Sequence, residues 1–377
     1  MSKHTRINVT PLAEWLPQTD EPLVIAGPCS AETETQVLQT AWELSKIPAV
    51  KVFRAGIWKP RTRPGGFDGV GVEGLRWLKQ VKAETGLLTT TEVANAGHVY
   101  EALKYGIDIL WIGARTTVNP FSVQEIADAL RGADIPVLVK NPINPDVQLW
   151  LGALERLSHA GITRLGAVHR GFSTFEKTHF RNAPKWDIVI ELKRLVPEIP
   201  ILCDPSHIAG NRDLIPALCQ KAVDMAMNGF MIESHISPDA ALSDAAQQLQ
   251  PAALADILDG LEYRRPQGDG EPEEFLKTLR AEIDLTDAAI LEAISRRSEI
   301  SEKIGLFKKS HNMTILQVGR WQQLLEDRLA RAGKLGLEAE FIKALFQIIH
   351  DRSIRMQSEV MNRKTENPSN QDLKDVS

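Results

Sequence analysis

Cysteine is scarce in this chain: three in 377 residues, Cys29, Cys203 and Cys219, all far apart. That excludes a disulfide framework and fits a reducing cytoplasm. Long apolar runs are missing too. None approaches the ~20 residues that span a bilayer. The start, Met-Ser-Lys-His-Thr-Arg, leads into no apolar signal segment. Excess positive charge is lacking: a formal net charge of -5 argues against a general nucleic-acid binder, while leaving local basic sites open. No Gly-x-Gly-x-x-Gly follows the first apolar run, which weakens a dinucleotide site. At 43% hydrophobic and 25% charged the composition is globular, and the chain is too long for one ordinary core, so two domains are expected.

What the chain does have is repetition. Short β-type runs occur at 23–26, 50–53, 87–91, 109–112, 137–139, 165–168, 199–203 and 229–232. Helix-like stretches alternate with them at 35–46, 71–82, 98–105, 122–130, 146–159, 185–195, 212–222 and 240–261. Strands alternating with helices imply right-handed crossovers and a parallel sheet. Eight such units in this length predict an α/β fold of (β/α)8 TIM-barrel type, with an open doubly wound sheet as the alternative.

Polar residues mark the strand ends: Cys29-Ser30, Arg54, Glu92, Arg115-Thr116, Lys140-Asn141, His169-Arg170, Asp204 to His207 and Glu233 to His235. In a barrel these ends form one face, where active sites sit. Eight coincidental surface turns are the dull alternative. Cys29, His207, Glu233 and Asp244 offer a thiolate, an imidazole and two carboxylates, a mixed set that accepts several divalent transition metals. Singly, each has a duller role in a core, a loop or a helix start.

The stretch Arg54 to Thr62 (Arg-Ala-Gly-Ile-Trp-Lys-Pro-Arg-Thr) runs from a strand into a loop carrying Arg54, Lys59 and Arg61. Fixed cations with a hydroxyl suit an anionic, phosphorylated small molecule, although alone such a stretch reads equally well as a solvated basic turn.

Seven segments then carry a resemblance: Gly27-Pro28-Cys29-Ser30, Lys59-Pro60-Arg61-Thr62, Gly113-Ala114-Arg115-Thr116-Thr117, Lys140-Asn141-Pro142, His169-Arg170-Gly171, Asp204-Pro205-Ser206-His207 and Ala241-Leu242-Ser243-Asp244. In that order they closely resemble 3-deoxy-arabino-heptulosonate 7-phosphate (DAHP) synthase of the compact type I beta. The resemblance implies Cys29, His207, Glu233 and Asp244 as ligands of a divalent metal, Mn2+ first, with Fe2+, Co2+ or Zn2+ as alternatives. It implies Arg54, Lys59, Arg115, Lys140 and Arg170 for phosphoenolpyruvate. Pro60, Arg61, Thr62 and Asp204 would take erythrose 4-phosphate, and Glu92 joins the substrate-binding group. Lys59 is expected to move a proton. The sister enzyme, KDO 8-phosphate synthase, shares the barrel and Gly-Pro-Cys but usually reads Lys-Ala-Asn-Arg-Ser where this chain has Lys-Pro-Arg-Thr.

Beyond the barrel, 263–272 holds two glycines, two prolines and mixed charge, and reads as a linker between a domain at 1–262 and a second at 273–363. Three amphipathic helices follow, the first about 35 residues long, so an all-α bundle is expected. A coiled-coil dimerisation tail is the plain alternative, and a solvated basic face the ordinary explanation of its charges. As a set, however, Arg280, Arg297, Lys308, Arg320, Ser353 and Gln357 resemble the all-helical chorismate mutase family. That resemblance implies Arg280, Arg297 and Arg320 on the substrate carboxylates, and Lys308 and Gln357 on the ether oxygen as the C–O bond breaks. It also implies an intertwined homodimer in which Arg280 crosses into the partner's site. One position departs: the family usually places a glutamate for the ring hydroxyl where this chain has Trp321, and Gln317 replaces a position that is often acidic. The segment 364–377 is polar and expected to be disordered.

Together the resemblances imply a bifunctional cytoplasmic enzyme of the shikimate pathway acting on phosphoenolpyruvate, erythrose 4-phosphate and chorismate. No further regulatory domain is recognisable ahead of the barrel, so prephenate bound to the helical domain is expected to inhibit it. A helical domain serving only regulation or dimerisation is the competing expectation.

Overall fold

The computed structural model describes residues 7–16, 22–59, 65–175, 178–264 and 271–363. Pro60, Arg61 and Thr62 of the basic motif lie outside the described residues, as does 364–377. The chain forms two compact units, Met1–Pro266 and Gln267–Ser377.

In the first unit eight strands pair in parallel in chain order. They are β1 (Leu23–Gly27), β2 (Val50–Arg54), β3 (Leu88–Val93), β4 (Ile109–Ile112), β5 (Val137–Lys140), β6 (Leu165–His169), β7 (Ile201–Cys203) and β8 (Gly229–Glu233). β8 pairs back onto β1, from Leu23 with Gly229 to Gly27 with Glu233, so the sheet is a closed barrel and not an open one. The helices between and after them are α1 (Glu34–Ser45), α2 (Glu73–Thr85), α3 (Ala96–Lys104), α4 (Ala114–Thr117), α5 (Pro120–Ala129), α6 (Val147–His159), α7 (Trp186–Leu195), α8 (Pro205–Ala209), α9 (Ile215–Asp224) and α10 (Pro251–Asp259). Side-chain oxygens at Thr33, Asn95 and Asp146 accept from backbone N–H groups of the first turn, which fixes where α1, α3 and α6 begin.

Strand periodicity places the site. Side chains two apart share a face. Ile25, Val52, Ile109, Leu138, Val168, Leu202 and Met231 fill the barrel interior. Two residues further along the same rows stand Arg54, Trp111, Lys140, Arg170, Asp204 and Glu233. The charged groups therefore stand on the barrel axis directly above an apolar plug. Leu12, Trp15 and Leu16 pack against that interior cluster. The opposite strand faces, among them Val24, Phe53, Val139 and Ala167, pack against the helices, where each fully buried aliphatic side chain contributes ~1.5–3 kcal/mol.

The helix expected over 240–261 is not continuous. Residues 238–240 and 245–247 form short 3-10 turns, Asp244 has φ +50, and α10 begins at Pro251. The intervening chain is drawn along the end of β8 instead: Leu249 N donates to Glu233 O, and His235 N to Leu249 O. Similarly, 212–214 is a 3-10 turn and α9 starts at Ile215, with a proline in its first turn.

The second unit is all-α: α11 (Glu271–Ser310), 40 residues long, α12 (Val318–Lys334) and α13 (Ala339–Asn362). α11 starts inside the span read as linker. α13 packs on both other helices, and against α11 a Cβ on Gly305 would lie 3.2 Å from Gln357 Cα. Most of α11 is exposed, including Phe275, Ile283, Leu285, Ile290 and Leu291. No described helix is long and apolar enough to cross a membrane.

Candidate active site

The barrel mouth brings thiol, imidazole, carboxylates and cations into one cluster. Donor atoms of Cys29, Glu233 and Asp244 all lie within 4.8 Å of one another. Beside them, His207 Nε2 is 3.7 Å from Glu233 Oε1. His207 sits on α8, whose N-cap is Asp204: the carboxylate accepts from His207 N and contacts Nδ1 at 2.8 Å, leaving Nε2 to face the cluster. The Cys29 thiol is 3.3 Å from Asp244 Oδ2. Burial and the Glu233 charge push this thiol up to about 12, as expected of a group whose thiolate needs a cation. Soft sulfur, imidazole and two carboxylates within reach of one point fit a divalent transition ion.

The cations line the other side. Arg54, fully buried, donates from Nη2 to Glu233 Oε1 at 3.2 Å and lies 5.0 Å over the Trp111 ring. Its buried Nε and Nη1 have no partner among the described residues, so two donors remain free to bond. Lys140 Nζ is 2.7 Å from Asp204 Oδ2. Burial lowers the Lys140 pKa, against the pull of Asp204. Burial also brings Arg170 down to about 10, helped by Arg181 and Arg115 and opposed by Asp204. A crowd of desolvated cations with falling pKa values is relieved by an anion. Arg115, on α4, is exposed at the rim.

Lys59 bridges the two groups. Its Nζ donates to Cys29 O at 2.8 Å and to Sγ at 3.0 Å. Burial lowers its pKa, but the charges of Cys29, Glu233 and Glu92 outweigh this and raise it, so the ammonium persists. Glu92 Oε2 accepts from Trp111 Nε1 at 3.1 Å. Asp204, buried, is held well below the usual carboxylate range: burial raises its pKa, and His207, Lys140 and Arg54 overcome it.

Sequence reasoning missed the residues that hold these groups in place. Arg181 Nη1 donates to Asp244 Oδ1 at 2.9 Å and to Gln247 Oε1 at 2.6 Å, and Gln247 Nε2 donates to Glu233 Oε2 at 2.6 Å. Gln247 lay within the expected helix, which hid it. Asn182 and Trp111 had no motif around them. Only the two-residue spacing from Ile109 could have placed Trp111.

In the second unit the structure joins part of the expected set. Arg297 donates to Ser353 Oγ, and Ser301 Oγ also reaches Ser353. Lys308 is buried, with Nζ on Ile315 O, and buried Gln357 has an Oε1 without a partner among the described residues. Ser353 and Gln357 are one turn apart on α13. Arg320 is exposed, and Arg280 pairs loosely with Glu273 at 3.7 Å. Trp321 stacks on His350, ring centroids 4.0 Å apart.

A closed eight-stranded parallel barrel with its charged side chains gathered at one mouth is the architecture of a (β/α)8 enzyme. Residues 10–263 match the model of the DAHP synthetase I family, and the chain belongs to that family. Residues 279–358 match the chorismate mutase type II model. The chain is 36% identical over 227 residues to a phospho-2-dehydro-3-deoxyheptonate aldolase of Thermotoga maritima, covering 60% of this chain and 64% of that one. A crystal structure of a DAHP synthase from Thermotoga maritima superposes with TM-score 0.57 at 32% identity, covering 63% of this chain and 67% of that one. A 2-dehydro-3-deoxyphosphooctonate aldolase of Legionella pneumophila is more distant, 26% identical over 270 residues, covering 64% of this chain and 91% of that one.

Proposed function

We propose that the barrel condenses phosphoenolpyruvate with erythrose 4-phosphate to DAHP and phosphate, and that the helical unit rearranges chorismate to prephenate. The observation that carries the first reading is the row of Arg54, Lys140 and Arg170 above the barrel plug, facing Cys29, His207, Glu233 and Asp244. In this reading Arg54, Arg115, Lys140 and Arg170 bind the phosphate and carboxylate of phosphoenolpyruvate. Holding two phosphorylated reactants in register lowers the barrier by several kcal/mol. C3 of phosphoenolpyruvate bonds to the aldehyde carbon, water adds at C2, and the C–O bond to phosphate breaks. Lys59, kept protonated, donates its proton at the aldehyde oxygen. Cys29, His207, Glu233 and Asp244 would hold a divalent ion, Mn2+ the first choice, which would supply Lewis acidity.

In the helical unit Arg297 and Arg320 take carboxylates, while Lys308 and Gln357 stabilise charge on the ether oxygen. Arg280 and Arg297 share one helix and, at 1.5 Å per residue, stand about 25 Å apart along it. They cannot grip one small dicarboxylate within a chain. The exposed apolar face of α11 supplies the matching argument for a homodimer in which Arg280 serves the partner's site. Prephenate bound there inhibits the barrel.

The full chain tests these readings together. Erythrose 4-phosphate is expected to be consumed with phosphoenolpyruvate and arabinose 5-phosphate is not; the reverse preference makes the barrel a KDO 8-phosphate synthase. A chelator is expected to abolish the synthase and spare the mutase. Synthase rates unchanged at saturating prephenate would overturn the feedback reading, and absent prephenate formation would leave the helices a regulatory or dimerisation module.

A further inference from the structure

The β6–α7 loop reaches both halves of the barrel site through two consecutive residues that no motif singled out. Asn182, almost fully buried, accepts from Arg170 Nη1 at Oδ1, 2.8 Å, and donates from Nδ2 to the carbonyl of His207, 2.6 Å. One amide thus joins a cation read as gripping phosphoenolpyruvate to the backbone of a residue read as a metal ligand. Arg181 extends the reach to Asp244 directly and to Glu233 through Gln247. The strap is also sewn to α8: Arg181 N donates to Ala209 O and Asn182 N to Ile208 O, both at 3.2 Å.

Its seat has no slack. Gly171 and Gly210 flank the pair with φ of +76 and +75. A Cβ on Gly171 would lie 2.8 Å from Asn182 Cβ, and one on Gly210 2.5 Å from Arg181 Cβ. A small residue is needed at both places for the strap to lie against the two sites at once.

We propose that Asn182 is a positioning residue that couples the two sites, so that phosphoenolpyruvate and the divalent metal bind cooperatively. The inference rests on the synthase reading of the barrel. When an anion draws the Arg170 guanidinium into one orientation, the Asn182 amide is fixed, and with it the carbonyl of His207 and the aim of that imidazole. Linkage makes the effect reciprocal: each ligand tightens the other by the same factor. Neither half of the bridge touches the reacting atoms.

The test uses full-length protein stripped of metal and titrated with Mn2+, free ion being read by electron paramagnetic resonance, with and without saturating phosphoenolpyruvate. In the wild type phosphoenolpyruvate is expected to tighten Mn2+ by about 5-fold or more, the lower end of ordinary coupling. Asn182→Ala is expected to bring that factor close to one, while Mn2+ still binds alone and KM for phosphoenolpyruvate rises more than kcat falls. Equal coupling in wild type and variant overturns the inference and leaves the synthase reading intact. Absence of phosphoenolpyruvate binding in the wild type removes the synthase reading itself, and this inference with it. Should Asn182→Ala not fold, hydrogen exchange on the wild type decides. Phosphoenolpyruvate without metal is expected to slow amide exchange across 205–210, and unchanged exchange there overturns the coupling.

Discussion

A lysine at position 59 is useful only if it stays charged beside a thiol and two carboxylates, and its contacts with Cys29 meet that need. Lys59→Met keeps the stem and removes the proton. Loss of a positioned acid costs at least about a hundredfold in turnover, so synthase activity of the folded variant is expected to fall by that much. Near-normal turnover would remove Lys59 from the proton transfer. His169 presents a different case. It points away from the barrel axis, against Phe172 and Trp186, and neither ring nitrogen has a partner among the described residues. Burial, then Arg170, pushes its pKa down to about 3. Between that value and about 6.5 the unfolded chain binds a proton that the folded barrel refuses. The stability contribution is complete above about pH 6.5 and is lost as pH falls, by about 2 kcal/mol at pH 5. His169→Leu is expected to narrow the gap between the barrel's urea midpoints at pH 7.5 and pH 5, and an unchanged gap would contradict it. Trp321 is the third such residue. Trp321→Glu offers a carboxylate to the ring hydroxyl, and one charge-assisted hydrogen bond of about 1.5 kcal/mol should raise mutase kcat/KM about tenfold. No rise would show that the Trp321–His350 stack has its own place in the working site.

At the scale of elements, the barrel was legible because most strands carry their own instruction. Val52 then Arg54, Leu138 then Lys140, Leu202 then Asp204: an apolar residue followed two later by a charged one fixes both the inward face and the site's height in the barrel. The eight-fold alternation supplied the count. What stayed hidden was what period cannot encode. Residues 240–250 have helix-like composition, yet hydrogen bonds to β8 win over local propensity, and Asp244 is thereby brought beside Cys29. The β6–α7 loop has no period at all, so Arg181 and Asn182 are visible only through what they touch. The same loop makes an element-scale prediction. Gly210→Ala forces a Cβ against Arg181 at a positive φ, a strain of about 1–3 kcal/mol. The barrel is expected to melt lower and to bind Mn2+ more weakly. A variant with full stability and full affinity would show that the strap can shift freely.

For the whole molecule, the feature that matters is the 40-residue length of α11 and the apolar side chains it leaves exposed. Its Phe275, Ile283, Ile290 and Leu291 remain exposed, while Arg297 lies against α13 and Lys308 against the loop between α11 and α12. The distance from Arg280 to Arg297 then turns a question of assembly into one of activity. If Arg280 serves the partner's site, an Arg280→Ala chain and an Arg297→Ala chain each lack mutase activity as homodimers, for different reasons. A mixed dimer has one site with both defects and one with neither. Random co-assembly makes half the dimers mixed, so co-expressed chains should recover about one quarter of wild-type mutase activity. Activity no higher than either parent would mean that Arg280 acts within its own chain or not at all, and the length of α11 would then serve only to hold two copies together.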